Sequence, residues 1–171
     1  PDQHGNCSLG ISVEATAAAC DVAWRIIAHV NPRMPRTLGD GFINIRDIDF
    51  AYVQDSPLIT VEHAPASPVE QRIGEIVASQ IRDGDCLQMG IGAIPNSALA
   101  HMTHCRNLGV HTEMFSDGVL DLIEAGVITN QNKKISRGRT VTGFTMGSER
   151  LYRFVDDNPE VTFLDIEFVN N

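Results

Sequence analysis

Positive charge is scarce in this 171-residue chain: 13 Lys and Arg stand against 22 Asp and Glu, a net charge of −9. That balance argues against a nucleic-acid or anionic-membrane partner, because surplus carboxylates neutralise nothing on a phosphate surface. It leaves room for a small phosphate-bearing molecule, which needs only local positive groups. No apolar run approaches the roughly 20 residues that span a bilayer, and no charged-then-apolar leader is visible. Cysteine is sparse too: Cys7, Cys20, Cys86 and Cys105 are scattered and form no Cys-x-x-Cys. A disulfide scaffold is thereby excluded, and reduced, partly buried thiols in a cytoplasmic protein are expected. His101, His104 and Cys105 crowd one stretch, but no carboxylate or second Cys pair lies near them in sequence. They are expected to face solvent, and no metal is expected. No Ser-His-Asp or Cys-His arrangement is present that would support a nucleophilic triad.

What remains is a globular composition, 43% hydrophobic and 20% charged. Leu9–Val13 alternates like a strand, and Glu14–Val30 reads as a helix that Asn31-Pro32 ends. Trp24 on that helix is expected in a core or interface. Residues 31–68 have little regular pattern, and Glu62-His-Ala-Pro-Ala-Ser-Pro68 has linker composition, which places a domain boundary there. Beyond it the pattern is regular. A helix is predicted over 69–82 with Val69, Ile73, Ile76, Val77 and Ile81 on its apolar face. Strand 86–91, helix 95–104, a strand carrying Glu113, helix 117–125, strand 139–144, helix 147–156 and strand 161–168 follow. Such alternation predicts an α/β fold with an open, mostly parallel sheet.

Two stretches carry the chemistry. In Leu108-Gly-Val-His-Thr-Glu-Met-Phe-Ser-Asp-Gly118, a carboxylate, Glu113, stands inside an apolar, β-prone run. Strand-end carboxylates in open α/β sheets lie where ligands bind and serve as bases, metal ligands or nucleophiles. His111, two residues earlier, is expected on the same strand face. Ser116 and Asp117 are expected to cap the helix that follows. Upstream, Cys86-Leu-Gln-Met-Gly-Ile-Gly-Ala-Ile-Pro95 reads as strand, glycine loop and helix start, with Pro95 at the first helical position. Gly90, Ile91, Gly92 and Ala93 form a loop whose N–H groups suit a phosphate, a carboxylate or an oxyanion. The loop lacks the last glycine of the dinucleotide fingerprint and the Lys-Ser/Thr of a P-loop. Gln88 and Asn96 are candidates for orienting substrate.

Together Met89-Gly-Ile-Gly-Ala-Ile-Pro-Asn96 and the Glu113 stretch resemble the acetyl-CoA hydrolase/transferase family, in its 4-hydroxybutyrate CoA-transferase branch. Gly126-Val-Ile-Thr-Asn, Asn132-Lys-Lys-Ile, Phe144-Thr-Met-Gly147 and Leu151 through Pro159 keep matching in order. Pro1-Asp-Gln-His-Gly-Asn-Cys7 resembles the family's Pro-Asp-x-x-Gly-x-Cys segment. The resemblance implies an open, mostly parallel sheet of the CoA-transferase type. It implies the tail of one α/β domain over 1–65 and the first part of a second over 66–171. Family members run roughly two to three times this length, so the chain is expected to be an internal piece of a larger enzyme. A further glycine-rich loop of the family would lie beyond residue 171.

The resemblance further implies that Glu113 is the catalytic nucleophile of a CoA-transferase. CoA would pass between an acyl-CoA and a short carboxylic acid such as 4-hydroxybutyrate, by ping-pong kinetics through a glutamyl-CoA thioester. Coenzyme A is then a substrate, and no permanently bound cofactor is expected. One oxyanion donor would come from the Gly90–Gly92 loop. An acyl-CoA hydrolase of the same family and a non-catalytic α/β binding or subunit module are the alternatives. A homo-oligomer is expected from the resemblance.

Overall fold

The computed structural model describes residues 1–61 and 64–171. Glu62 and His63, at the start of the expected boundary stretch, lie outside the described residues. Asn6–Ser8 forms a short strand (β1), Thr16–Val22 a helix (α1) and Ile27–Val30 a strand (β2). The single helix expected over 14–30 is therefore two elements. Ala23 leaves helical geometry with ψ 132°, and the β-branched Ile26, Ile27 and Val30 continue in extended backbone, which suits them. Asp49 fixes the switch: its carboxylate accepts from the Ile26 N–H at 2.8 Å and pairs with Arg25. Trp24 is 88% exposed beneath the Arg25 guanidinium, so it is not part of the core. Residues 9–13, expected as a strand, turn at Gly10 (φ 75°) and form no named strand. Ser12 makes one isolated antiparallel bridge to Phe144, and Val13 is fully buried.

Leu38–Gly39 (β3), Phe42–Asn44 (β4) and Phe50–Val53 (β5) follow. β1 pairs antiparallel with β4, and β2 pairs parallel with β5. The helix Pro68–Ala78 (α2) opens with Pro68 and a capping box, in which Ser67 and Glu70 satisfy each other's backbone N–H. Its packing differs from the expected apolar stripe. Val69, Ile73, Ile76 and Val77 stay exposed, while Gly74 and Ala78 are buried. A Cβ on Gly74 would lie 2.3 Å from Ser97 Oγ, so the helix backbone approaches its neighbour too closely for a larger side chain.

From there the chain alternates regularly: Cys86–Leu87 (β6), Ala93–Ala100 (α3), Gly109–Phe115 (β7), Asp117–Glu124 (α4), Thr140–Thr145 (β8), Glu149–Val155 (α5), Val161–Phe163 (β9) and Ile166–Val169 (α6). The strand expected over 86–91 keeps only two residues. Pro95 is the third residue of α3 rather than the first, where its missing N–H still costs no helical bond. The strand expected over 161–168 stops at Phe163, because the Asp165 carboxylate accepts from the Phe168 N–H and starts a helical turn. β3, β9, β8, β7 and β6 lie side by side in that order and all run parallel, giving the expected α/β fold with an open parallel sheet. β3 comes from the segment before residue 62 and closes one edge of this sheet. Phe115, Phe163, Leu99, Met102, Leu108, Leu120 and Leu151 are fully buried and dominate the core.

Candidate active site

All five parallel strands end on the same side, and that side carries the residues singled out from the sequence. β7 is buried along most of its length; among its residues only His111 and Glu113 are partly exposed. They stand two apart and so point to one face. The final helical turn lies against this face. The Phe168 ring stacks on His111 with centroids 5.8 Å apart and planes 17° apart, and Asn170 Nδ2 donates to Glu113 Oε2 at 3.1 Å. The Glu113 carbonyl accepts from Thr142 Oγ1 at 3.0 Å, which ties the backbone of this residue to β8. Burial lowers the pKa of His111, and the nearby Lys133 charge lowers it further, against the opposing pull of the Val169 and Phe168 carbonyls.

The glycine loop reaches the same level from β6. Leu87 pairs with Val110, and two residues on, Thr112 Oγ1 accepts from the Met89 N–H at 2.9 Å and donates to the Met89 carbonyl at 3.1 Å. This register sets Gly90 level with Glu113 on the neighbouring strand path. Gly92 caps α3 with φ 116°, a conformation that L side chains rarely adopt, and nothing lies within 4 Å of where its Cβ would be. Gly90 and Ile91 are exposed, and Ala93 opens α3. The loop is thus an open glycine turn leading to a helix N-terminus, beside a partly exposed carboxylate.

Gln88 and Asn96 are placed apart. Gln88 is exposed and lines a groove of about 220 Å³ with Met89, Gly90, Val77, Ile94 and Pro95. Asn96 lies between α3 and α4, with Oδ1 3.8 Å from the Cβ position of Gly118. Among the described residues neither makes a hydrogen bond to Glu113. Ser116 occupies the N-cap position of α4, but its hydroxyl makes no capping bond. Asp117 serves a different helix from the one expected. Its carboxylate accepts from the N–H and hydroxyl of Ser148, the N-cap of α5. The turn after β7 is thereby clamped to the turn after β8. His101 Nδ1 donates to the Ser97 carbonyl at 2.7 Å and His104 Nδ1 to the His101 carbonyl at 3.0 Å. Among the described residues no group of three or more His, Cys, Asp or Glu is arranged to hold a metal ion.

Three side chains important to this region were not singled out from sequence. Asn170 touches the carboxylate itself. Asn130 and Lys133 take both backbone groups of Val110: Asn130 Oδ1 accepts from its N–H at 2.8 Å, and Lys133 Nζ donates to its carbonyl at 2.7 Å. Lys133 also donates to the Arg139 carbonyl at 2.7 Å, and burial lowers its pKa to about 8. Asn130 carries φ 58°, a left-handed conformation that Asn tolerates, and both it and Lys133 lie in stretches quoted for the family resemblance, where the signal was present but unassigned.

Residues 1–62 match the family description "Acetyl-CoA hydrolase/transferase N-terminal domain". The whole chain is 46% identical to a 4-hydroxybutyrate coenzyme A transferase of Clostridium kluyveri, covering 40% of that protein. It is 45% identical to a succinyl-CoA:acetate/propanoyl-CoA:succinate CoA transferase of Fasciola hepatica, again over all of this chain and 36% of the relative. A solved 4-hydroxybutyrate CoA-transferase from Porphyromonas gingivalis superposes with a TM-score of 0.95 at 39% identity, over 100% of this chain and 44% of that one. RipA from Yersinia pestis superposes with a TM-score of 0.93 at 38% identity, over 99% of this chain and 39% of that one. The chain thus spans about two fifths of the length of the curated relatives it matches. Residues 1–62 thus match the N-terminal domain of the acetyl-CoA hydrolase/transferase family, and the whole chain is similar to CoA-transferases in sequence and fold.

Proposed function

We propose that this chain is part of a CoA-transferase that moves CoA between an acyl-CoA and a short carboxylic acid, with Glu113 as the covalent nucleophile. The observation that carries the reading is a partly exposed carboxylate at the carboxyl end of a buried parallel strand, level with an open glycine turn. The Glu113 carboxylate attacks the acyl carbonyl, and CoA leaves as its thiolate, producing a mixed anhydride. The thiolate attacks the glutamyl carbonyl, forms the glutamyl thioester and releases the first carboxylic acid as its carboxylate. An incoming carboxylate attacks this thioester, gives a second anhydride and expels the thiolate. The thiolate then takes the new acyl group and frees Glu113. Each thioester is made as another is broken, so the cycle consumes no ATP.

Each tetrahedral intermediate carries an oxyanion, and a preorganised N–H donor is worth about 2.7–4 kcal/mol there. The Gly90–Gly92 turn is the candidate donor, since nothing lies within 4 Å of where a Gly92 Cβ would be. Asn170 holds one carboxylate oxygen of Glu113 and leaves the other to attack. Gln88 and Asn96 keep a role as distal substrate contacts in this proposal, and His111 acts beside the nucleophile.

The name of the Clostridium kluyveri relative favours 4-hydroxybutyrate as the acid. The division into 1–65 and 66–171, a cytoplasmic location and homo-oligomerisation belong to the same proposal. Initial-rate kinetics on the longer protein carrying this chain test it. Parallel double-reciprocal lines for acyl-CoA and acid, abolished in Glu113→Gln, are the expected result. Intersecting lines with activity retained in Glu113→Gln contradict the mechanism. Release of free acid and CoA without an acceptor would identify the hydrolase instead, since the two differ in whether water reaches the thioester.

A further inference from the structure

Glu113 does not meet Asn170 through contacts of its own strand alone. Asn170 follows a single four-residue turn, α6, and the turn must be held against β7 for the amide to reach the carboxylate. A cap shapes α6 locally, and two anchors hold it from other directions. The Asp165 carboxylate caps its start through the Phe168 N–H, the Ile166 N–H donates to the Glu14 carbonyl at 3.1 Å, and Val169 is buried in the core. On the β7 side the turn meets His111, on whose ring the Phe168 and Val169 carbonyls act. The face of His111 is also laid on Phe168, a residue that is 43% exposed. His111 and Glu113 project from the same face of β7, so the ring that holds the turn and the carboxylate that the turn reaches are two residues apart.

We propose that His111 is a positioning residue whose ring, stacked on Phe168, holds the α6 turn where Asn170 reaches Glu113. In this role the imidazole touches neither acyl group nor CoA; it sets the rotamer of the nucleophile through Phe168 and Asn170. Burial and the Lys133 ammonium both lower the pKa of the ring and so disfavour its charged form. An aromatic ring of similar size is therefore expected to replace it, whereas a methyl is not. The assignment rests on the reading of Glu113 as the nucleophile, but its structural content is separately measurable.

The test is side-chain NMR of the longer protein carrying this chain, reading the Asn170 amide protons and the Glu113 carboxyl carbon. In His111→Ala the Asn170 amide protons are expected to exchange with water at least about 10-fold faster, and the Glu113 Cδ resonance to move, because opening of α6 becomes cheaper. His111→Phe is expected to restore both signals to wild-type values, a rescue that general destabilisation would not produce. Should His111→Ala fail to fold, Phe168→Leu at a partly exposed site removes the same stack and is expected to give the same two changes. Unchanged Asn170 and Glu113 signals in the folded His111→Ala or Phe168→Leu protein overturn the proposal, as does failure of His111→Phe to rescue. If Glu113→Gln retains transferase activity while His111→Ala shows these spectral changes, the nucleophile reading has failed and the positioning contact stands.

Discussion

Replacing Asp117 by alanine probes how the turn after the Glu113 strand is held. The Asp117 carboxylate accepts two bonds from Ser148, one from its N–H at 2.9 Å and one from its hydroxyl. Space for it exists because residue 147 is glycine; a Cβ there would stand 2.2 Å from Asp117 Oδ2. Hydrogen bonds to a charged group contribute about 1.5–3 kcal/mol each. Both ends here are only part-buried, so the lower end applies, and Asp117→Ala is expected to cost about 3 kcal/mol. Asp117→Asn should cost about 1 kcal/mol, since the amide oxygen still accepts from the Ser148 N–H and the amide nitrogen can donate to the hydroxyl. For a domain of this size about 1 kcal/mol corresponds to 2–4 °C in Tm, so Asp117→Ala should lower Tm by about 6–12 °C. Urea unfolding followed by far-UV circular dichroism, with an unchanged m-value, gives the free energies directly. A double-mutant cycle with Ser148→Ala should show a coupling of about 1 kcal/mol from the hydroxyl bond alone. Asp117→Ala within about 0.5 kcal/mol of wild type would refute the clamp.

Other perturbations have equally definite outcomes. Gly74→Ala places a Cβ 2.3 Å from Ser97 Oγ and 2.8 Å from the Ala98 backbone nitrogen, so α2 must move off α3; a loss of about 1–3 kcal/mol is expected by urea titration. Asn130→Ala leaves the Val110 N–H without its acceptor and a left-handed backbone on alanine, with an expected loss of about 2–4 kcal/mol. Asn130→Gly should recover about 1 kcal/mol of that by relieving the backbone alone. Lys133 gives a pH signature. Its folded pKa of about 8 lies below the ordinary lysine value of 10.5, so between those values the unfolded chain holds the proton more tightly and stability rises with pH. The urea midpoint of the wild type is expected to climb from pH 8 toward pH 10 relative to Lys133→Met, and parallel pH profiles would contradict the assignment.

The regular half of the chain was legible because its periodicities were unopposed. Glu113 in an apolar run, the Ser116-Asp117 stop and the helix over 117–125 all follow from residue pattern, and β7, α4 and β8 lie where they were expected. The stretch 14–30 failed because Ala17, Ala18 and Cys20 favour helix while Ile26, Ile27 and Val30 suit either state. The choice was made by pairing with Phe50–Val53, each partner 23 residues further along the chain, and by the Asp49 carboxylate. On α2 the apolar stripe was visible but its burial was not, since close approach to α3 selected Gly74 and Ala78 instead. Asn170 was invisible for a further reason: reading 161–168 as one strand hid the Asp165 cap that bends the chain back over β7. Partners 57 residues apart cannot be paired from a single sequence.

Glu113 as covalent nucleophile is tested most directly by trapping its thioester. The longer protein carrying this chain would be mixed with acetyl-CoA, reduced with borohydride and digested, and the peptide containing Glu113 read by mass spectrometry. A glutamyl thioester reduces to the alcohol, so the expected result is a mass loss of about 14 Da, two hydrogens gained for one oxygen lost, located at Glu113 and dependent on acetyl-CoA. An unmodified Glu113 in protein that turns over under the same conditions would contradict the account.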